Sequence, residues 1–126
     1  MADADARIAA DVRSRTAHVK TLVAQRKNED AVRAALADPP LLARSDAVKD
    51  ENAQSVLTAL LACNKGEMQR VIDSLSTDQE DVLMKYLARF LGLAAQSAVV
   101  LDWYQKLASK AGAGCIMRAF TDRKLV

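Results

Sequence analysis

Apolar residues three and four positions apart recur along nearly the whole 126-residue chain, and that spacing gathers side chains on one face of a 3.6-residue helix. Ile8, Val12, Val19, Leu22 and Val23 open the pattern over residues near 6 to 26. Ala31, Val32, Ala35 and Leu36 continue it behind Asn28, a candidate cap, with Glu29 and Asp30 where a helix dipole favours negative charge. Pro39-Pro40 stop that second segment. A third, capped by Ser45 or Asp46, carries Val48, Val56, Leu57, Leu60 and Leu61 and ends near Cys63, before Asn64-Lys-Gly66. Met68, Val71, Ile72 and Leu75 make a short fourth helix. Thr77 and Glu80, three apart, read as a capping box opening a fifth with Val82, Leu83, Tyr86, Leu87, Phe90 and Leu91. A sixth from about Gln96 to Ser109 buries Val99, Val100, Leu107 and one of Trp103 and Tyr104, and Gly112 suits a left-handed cap. Ile116, Met117 and Phe120 form the inner stripe of a seventh.

The segments also repeat. Val32 to Leu36 resembles Val71 to Leu75, about 39 positions on, and Val71 to Ser76 resembles Ile116 to Thr121, about 45 further on. Long helix, polar turn and short helix at that period predict an all-α fold of about seven helices in an α-α superhelix. We expect one domain, with residues 1–18 as an N-terminal arm or helical extension and 19–126 as the superhelix. Four Gly, two Pro and 4% aromatic content favour helix over sheet.

Charge and cysteine content narrow the function. Eighteen basic residues against sixteen acidic ones give +2, too mild to call for nucleic acid. The basic run from Arg7 to Lys27 reads as a solvated helix face. No stretch approaches the ~18 apolar residues of a membrane span, and the start of the chain lacks the pattern of a secretory signal. A soluble, cytoplasmic protein is expected. Cys63 and Cys115 are read as reduced core residues. His18 has no second His or Cys at ligand spacing, so no metal is expected. Gly112-Ala-Gly-Cys115 has neither the preceding strand nor the Gly-Lys-Ser/Thr of a phosphate loop, and reads instead as a helix cap at a close crossing. No residue set supplies a nucleophile with its base, so neither an enzyme nor a cofactor is expected.

Six short runs carry a resemblance. They are Ala35-Leu-Ala-Asp-Pro-Pro40, Ala47-Val-Lys-Asp50, Asn64-Lys-Gly66 with Ser74-Leu75, Leu83-Met-Lys-Tyr86, Leu101-Asp-Trp-Tyr-Gln-Lys-Leu107, and Gly112-Ala-Gly-Cys-Ile-Met-Arg118 with Thr121-Asp-Arg-Lys124. In this order they resemble the subunit 5, or 16 kDa subunit, family of the Arp2/3 complex, over about three quarters of the chain. The resemblance implies a non-catalytic scaffold subunit of the assembly that binds the side of an actin filament and nucleates a branch. It implies docking on the 20 kDa-type and β-propeller subunits, and an N-terminal arm that reaches Arp2. The residues before Thr21 are short, Ala-rich and mixed in charge, a departure from the longer acidic arm frequent in the family. Interface candidates are Arg118, Arg123 and Lys124 at the C-terminal motif, Tyr104 on the sixth helix, and Arg7 and Val12 on the arm. A helical-repeat adaptor that holds a partner in its groove is the competing reading.

Overall fold

The computed structural model describes residues 2–37, 39–40, 44–92, 97–121 and 126. Among them the chain forms seven helices and no strand: α1 (Ala2–Ala24), α2 (Asn28–Leu36), α3 (Asp46–Ala62), α4 (Lys65–Ser74), α5 (Thr77–Gly92), α6 (Ser97–Ala111) and α7 (Ala113–Thr121). The all-α, seven-helix expectation holds. Helices α1, α2 and α3 pack on one another, as do α5, α6 and α7. Helix α4 joins the two groups through α2 and α6, and α3 also meets α6. The expected division between residues 18 and 19 falls inside α1, one uninterrupted helix.

Apolar burial holds the groups together. Helix α3 buries Asn52, Ala53, Ser55, Val56, Leu57, Ala59 and Leu60, residues pointing in several directions, so it needs neighbours on more than one side. Trp103 of α6 is fully buried, and its Nε1 donates to Leu60 O at 3.1 Å. The indole thereby places its large apolar body in the core without orphaning its N–H. Tyr86 and Phe90 stack at 6.1 Å. Cys63 and Cys115 are buried free thiols, as expected.

Several local readings change. The box at the start of α5 is not Thr77 with Glu80: Ser76 N donates to Gln79 Oε1 at 2.9 Å and Gln79 N to Ser76 Oγ at 3.3 Å. Moving the cap one residue earlier turns Glu80 inward, where it meets Lys110 Nζ of α6 at 3.3 Å. That ammonium also donates to Ile72 O (2.5 Å) and Leu75 O (3.0 Å), closing the C-terminus of α4. Asn28 does not cap α2; its Nδ2 donates to Ala62 O at 3.1 Å and Glu67 Oε1 at 3.3 Å, tying α2 to the α3–α4 corner. Asn64, read as a breaker, caps α4 in a reciprocal box with Glu67. Ser45 precedes α3 without a side-chain cap bond.

Among the described residues, two helix ends use the left-handed conformation. Gly112, at φ +81°, ends α6 as expected. Helix α1 ends on Arg26 at φ +60°, with Arg26 N donating to Val23 O and Lys27 N to Leu22 O. This is the paired-bond C-terminal motif that usually carries glycine. A side chain there strains the backbone, which composition and spacing do not reveal.

Candidate protein interface

The residues singled out from the sequence fall into different environments. Val12 is fully buried on the inward face of α1, one heptad before the equally buried Val19. It is a core residue here, not an interface side chain, a correction that follows from helical phase. Arg7 is exposed on the same helix. Tyr104 is half-buried against the core while Trp103 is fully buried, the split expected of adjacent helical positions about 100° apart. Arg123 and Lys124 lie outside the described residues.

Arg118 is exposed, yet its guanidinium fork is engaged within the chain. Its Nε donates to Asp81 Oδ2 at 3.1 Å and its Nη2 to Asp81 Oδ1 at 2.9 Å, joining α7 to α5. The Arg118 bonds hold the Asp81 carboxyl below its ordinary value, and Asp81 in turn raises Arg118. A Cβ at Gly114 would lie 3.2 Å from Arg118 Nη1, so glycine leaves room for the guanidinium to fold back along α7. Helix α7 is also turned relative to the expected stripe. Cys115 faces the core, Ile116 and Ala119 are half-buried, and Met117 is 65% exposed. Residue 117 lies about 200° around the helix from 115, so one wall cannot cover both. The Phe120 side chain lies outside the described residues. Leu61 and Leu101 are the other large apolar side chains exposed among the described residues.

Inside the fold, a polar chain that the sequence reading missed runs from α1 across α3 to α5. Arg15 Nη1 donates to Asn52 Oδ1 at 2.7 Å, and Asn52 Nδ2 donates to the Tyr86 hydroxyl. Asn52 is 1% exposed. Burial raises the Tyr86 phenol to about 12, with Asn52 opposing the shift. Burial likewise lifts Cys63 to about 12 and Cys115 to about 11, so both thiols stay protonated and unreactive near neutral pH. One turn further along α5, Arg89 pairs with Asp50 of α3 and donates to Val126 O at 3.2 Å. Lys49, Lys85, Arg89 and Val126 help line a cavity of about 460 Å³ between α3, α5 and α7. Asn52 was visible as a polar residue in an apolar stripe, but its partners lie 34 and 37 residues away in sequence.

What these residues offer is a helical surface. Among the described residues no group of three or more His, Cys, Asp or Glu is placed to hold a metal ion. No helix among them is long and apolar enough to cross a membrane. The profile of the ARP2/3 complex 16 kDa subunit (p16-Arc) matches residues 2–126. The chain belongs to the p16-Arc family. Relatives in this family include "Actin-related protein 2/3 complex subunit 5" of Dictyostelium discoideum, 35% identical over 122 residues, 97% of this chain and 88% of that protein. Subunit 5A of Arabidopsis thaliana is 31% identical over 117 residues, covering 91% and 87%. Subunit 5-C of Xenopus laevis is 34% identical over 98 residues, covering 76% and 65%. The chain thus spans about two thirds of the Xenopus relative and most of the Dictyostelium one. Within the six sequence runs, Gly112 ends α6 and Trp103 fixes α6 on α3.

Proposed function

We propose that this p16-Arc chain is a non-catalytic structural subunit of a cytoplasmic Arp2/3 complex and contributes to actin-filament nucleation and branching by holding neighbouring subunits in place. The observation that carries this reading is the match to the family over residues 2–126, supported by relatives named as Arp2/3 complex subunits at up to 97% coverage of the chain. An all-α body with buried, protonated thiols suits a scaffold.

The finer roles are part of the same proposal. The helical body docks on the 20 kDa-type and β-propeller subunits, and residues 1–18 act as the arm that retains Arp2. Arg7 and Tyr104 are the described candidates for contact, with Arg123 and Lys124 beyond them. Arg118 contributes by holding α7 against α5 and presenting Met117, because its own fork is filled by Asp81.

Purification of a tagged full chain from its own cell tests the assembly. Co-elution with Arp2, Arp3 and the β-propeller subunit in equal amounts is expected. A tagged chain that elutes alone, or with unrelated partners, refutes membership of the complex and favours the adaptor reading. The variant Arg7→Glu tests the arm while leaving the buried Val12 and the Arg15–Asn52 bond in place: loss of Arp2 with retention of the β-propeller subunit is expected, and full retention of Arp2 removes the tether.

A further inference from the structure

Helices α3 and α5 belong to different groups of helices, and polar side chains bridge them at two depths. Asn52 reaches Tyr86 in the interior, and one turn further along α5 Arg89 reaches Asp50 of α3. The second bridge faces water: the Asp50 side chain is 65% exposed and that of Arg89 27%. An ion pair so exposed is screened and holds little by itself. Arg89 has a further partner, because its Nη1 donates to Val126 O at 3.2 Å. Val126 lies beyond the end of α7 and outside any helix, yet it is 4% exposed and belongs to the same apolar core as Leu87 and Phe90.

We propose that residue 126 is a latch between the two groups of helices, with Arg89 as its catch. A guanidinium is a planar fork whose donors stand at fixed angles, so one arm on Asp50 and another on the main chain of residue 126 fix both acceptors relative to each other. Burial of the Val126 side chain keeps its main-chain oxygen in place, and that oxygen keeps Arg89 turned toward Asp50. The apolar group supplies the holding force, since its removal from water is not weakened by screening, and the fork supplies the direction. Asp46, Lys49, Lys85, Ala88 and Ala119 line the cavity around these three residues, so the latch sits where α3, α5 and α7 converge. Helix α7 ends at Thr121, and residue 126 thereby ties the chain that follows it back to a helix of the other group. The latch is a property of the fold and stands whether or not the chain is a scaffold subunit.

Amide exchange and thermal melting of the full chain test it with Val126→Ala, Arg89→Lys and the two combined. Lysine keeps the charge at residue 89 but offers one point of attachment in place of a fork. Each single variant should speed exchange by about tenfold at the amides of Asp50 to Gln54 in α3 and of Cys115 to Ala119 in α7, with α2 and α4 keeping their native rates. The double variant should lower Tm by less than the sum of the singles, because either change alone releases the latch. Native rates in α3 after either change, with acceleration confined to α5 and α7, would make residue 126 a filler of the α5–α7 contact and overturn the proposal. Uniform acceleration in every helix, or Tm shifts that add, would overturn it too, since an ordinary core residue and an independent surface ion pair behave in that way. Should Val126→Ala fail to fold, exchange in α3 and α7 of Arg89→Lys decides by the same criteria.

Discussion

Helices α1 and α6 both pack against α3, and they do so by opposite means. Helix α6 brings Trp103, fully buried, with its N–H closed on Leu60 O, and ends on Gly112, whose φ of +81° costs glycine nothing. Helix α1 brings Arg15 to Asn52, and it ends on Arg26 in a left-handed conformation that disfavours a side chain. One side turns on a single buried indole and a glycine end, whereas the other sets a polar pair beside the fully buried Val12 and Val19 and ends on a strained residue. The contrast teaches that two helices can be fixed on the same neighbour by different chemistry, one by an indole that closes its own N–H and one by a charged group reaching a buried amide beside apolar side chains.

The dry side should break hardest. Leu60→Ala removes a fully buried side chain under Trp103 and should cost about 2–5 kcal/mol, through lost burial and residual cavity. Chemical denaturation measures it; a loss of under about 0.5 kcal/mol would mean that the α3–α6 contact is not the core. On the polar side, Asn52→Ala strips a partner from Arg15 and from the buried Tyr86 hydroxyl. About 1–3 kcal/mol is expected. Amide exchange should speed up in α1 before α6, and equal acceleration in both would erase the distinction between the seams.

The helix ends sharpen the comparison further. Arg26→Gly should stabilise the chain by on the order of 1 kcal/mol, and Gly112→Ala should destabilise it by a similar amount. Thermal melts of the two variants should move in opposite directions, and a lower Tm for Arg26→Gly would show that its side chain does more than tolerate the turn. The smallest effect is expected at the α5–α7 surface. Because Arg118 depresses the Asp81 carboxyl, its stabilisation is present above the ordinary aspartate value of 3.8 and disappears as the pH falls through the lower folded value. The difference in Tm between the native chain and Arg118→Ala should therefore be small at neutral pH and vanish in acid. A difference that persists in acid would assign Arg118 a packing role instead of an electrostatic one.

The all-α fold was legible because almost every core position follows one period: Val32, Val56, Leu60, Val71, Leu83, Leu87 and Leu107 all sit where helical spacing puts them, and all are buried. The family was legible from the six ordered runs, which include Gly112 at the end of α6 and Trp103 at its crossing with α3. The interface candidates were less so. Arg118 looked like a docking group because a sequence shows a basic residue near a helix end but not the carboxylate 37 residues away that fills its fork. Val12 looked available because the phase of α1 cannot be known before its neighbour is placed. Met117 was assigned to the inner stripe for the same reason, and only the position of α5 turned it outward.

Periodicity, caps and breakers are local properties, set by bonds and contacts within about four residues, so the sequence by itself determined which segments are helices and which stripe each tends to bury. Which polar groups meet is a long-range matter. Asn52 finds Arg15 and Tyr86, and Lys110 finds Glu80 and the end of α4, only once α1, α3, α4, α5 and α6 are packed together. Hydrogen bonds and ion pairs act over a few ångströms and are indifferent to separation along the chain, so tertiary structure alone decided which polar side chains of α3's neighbours find a partner.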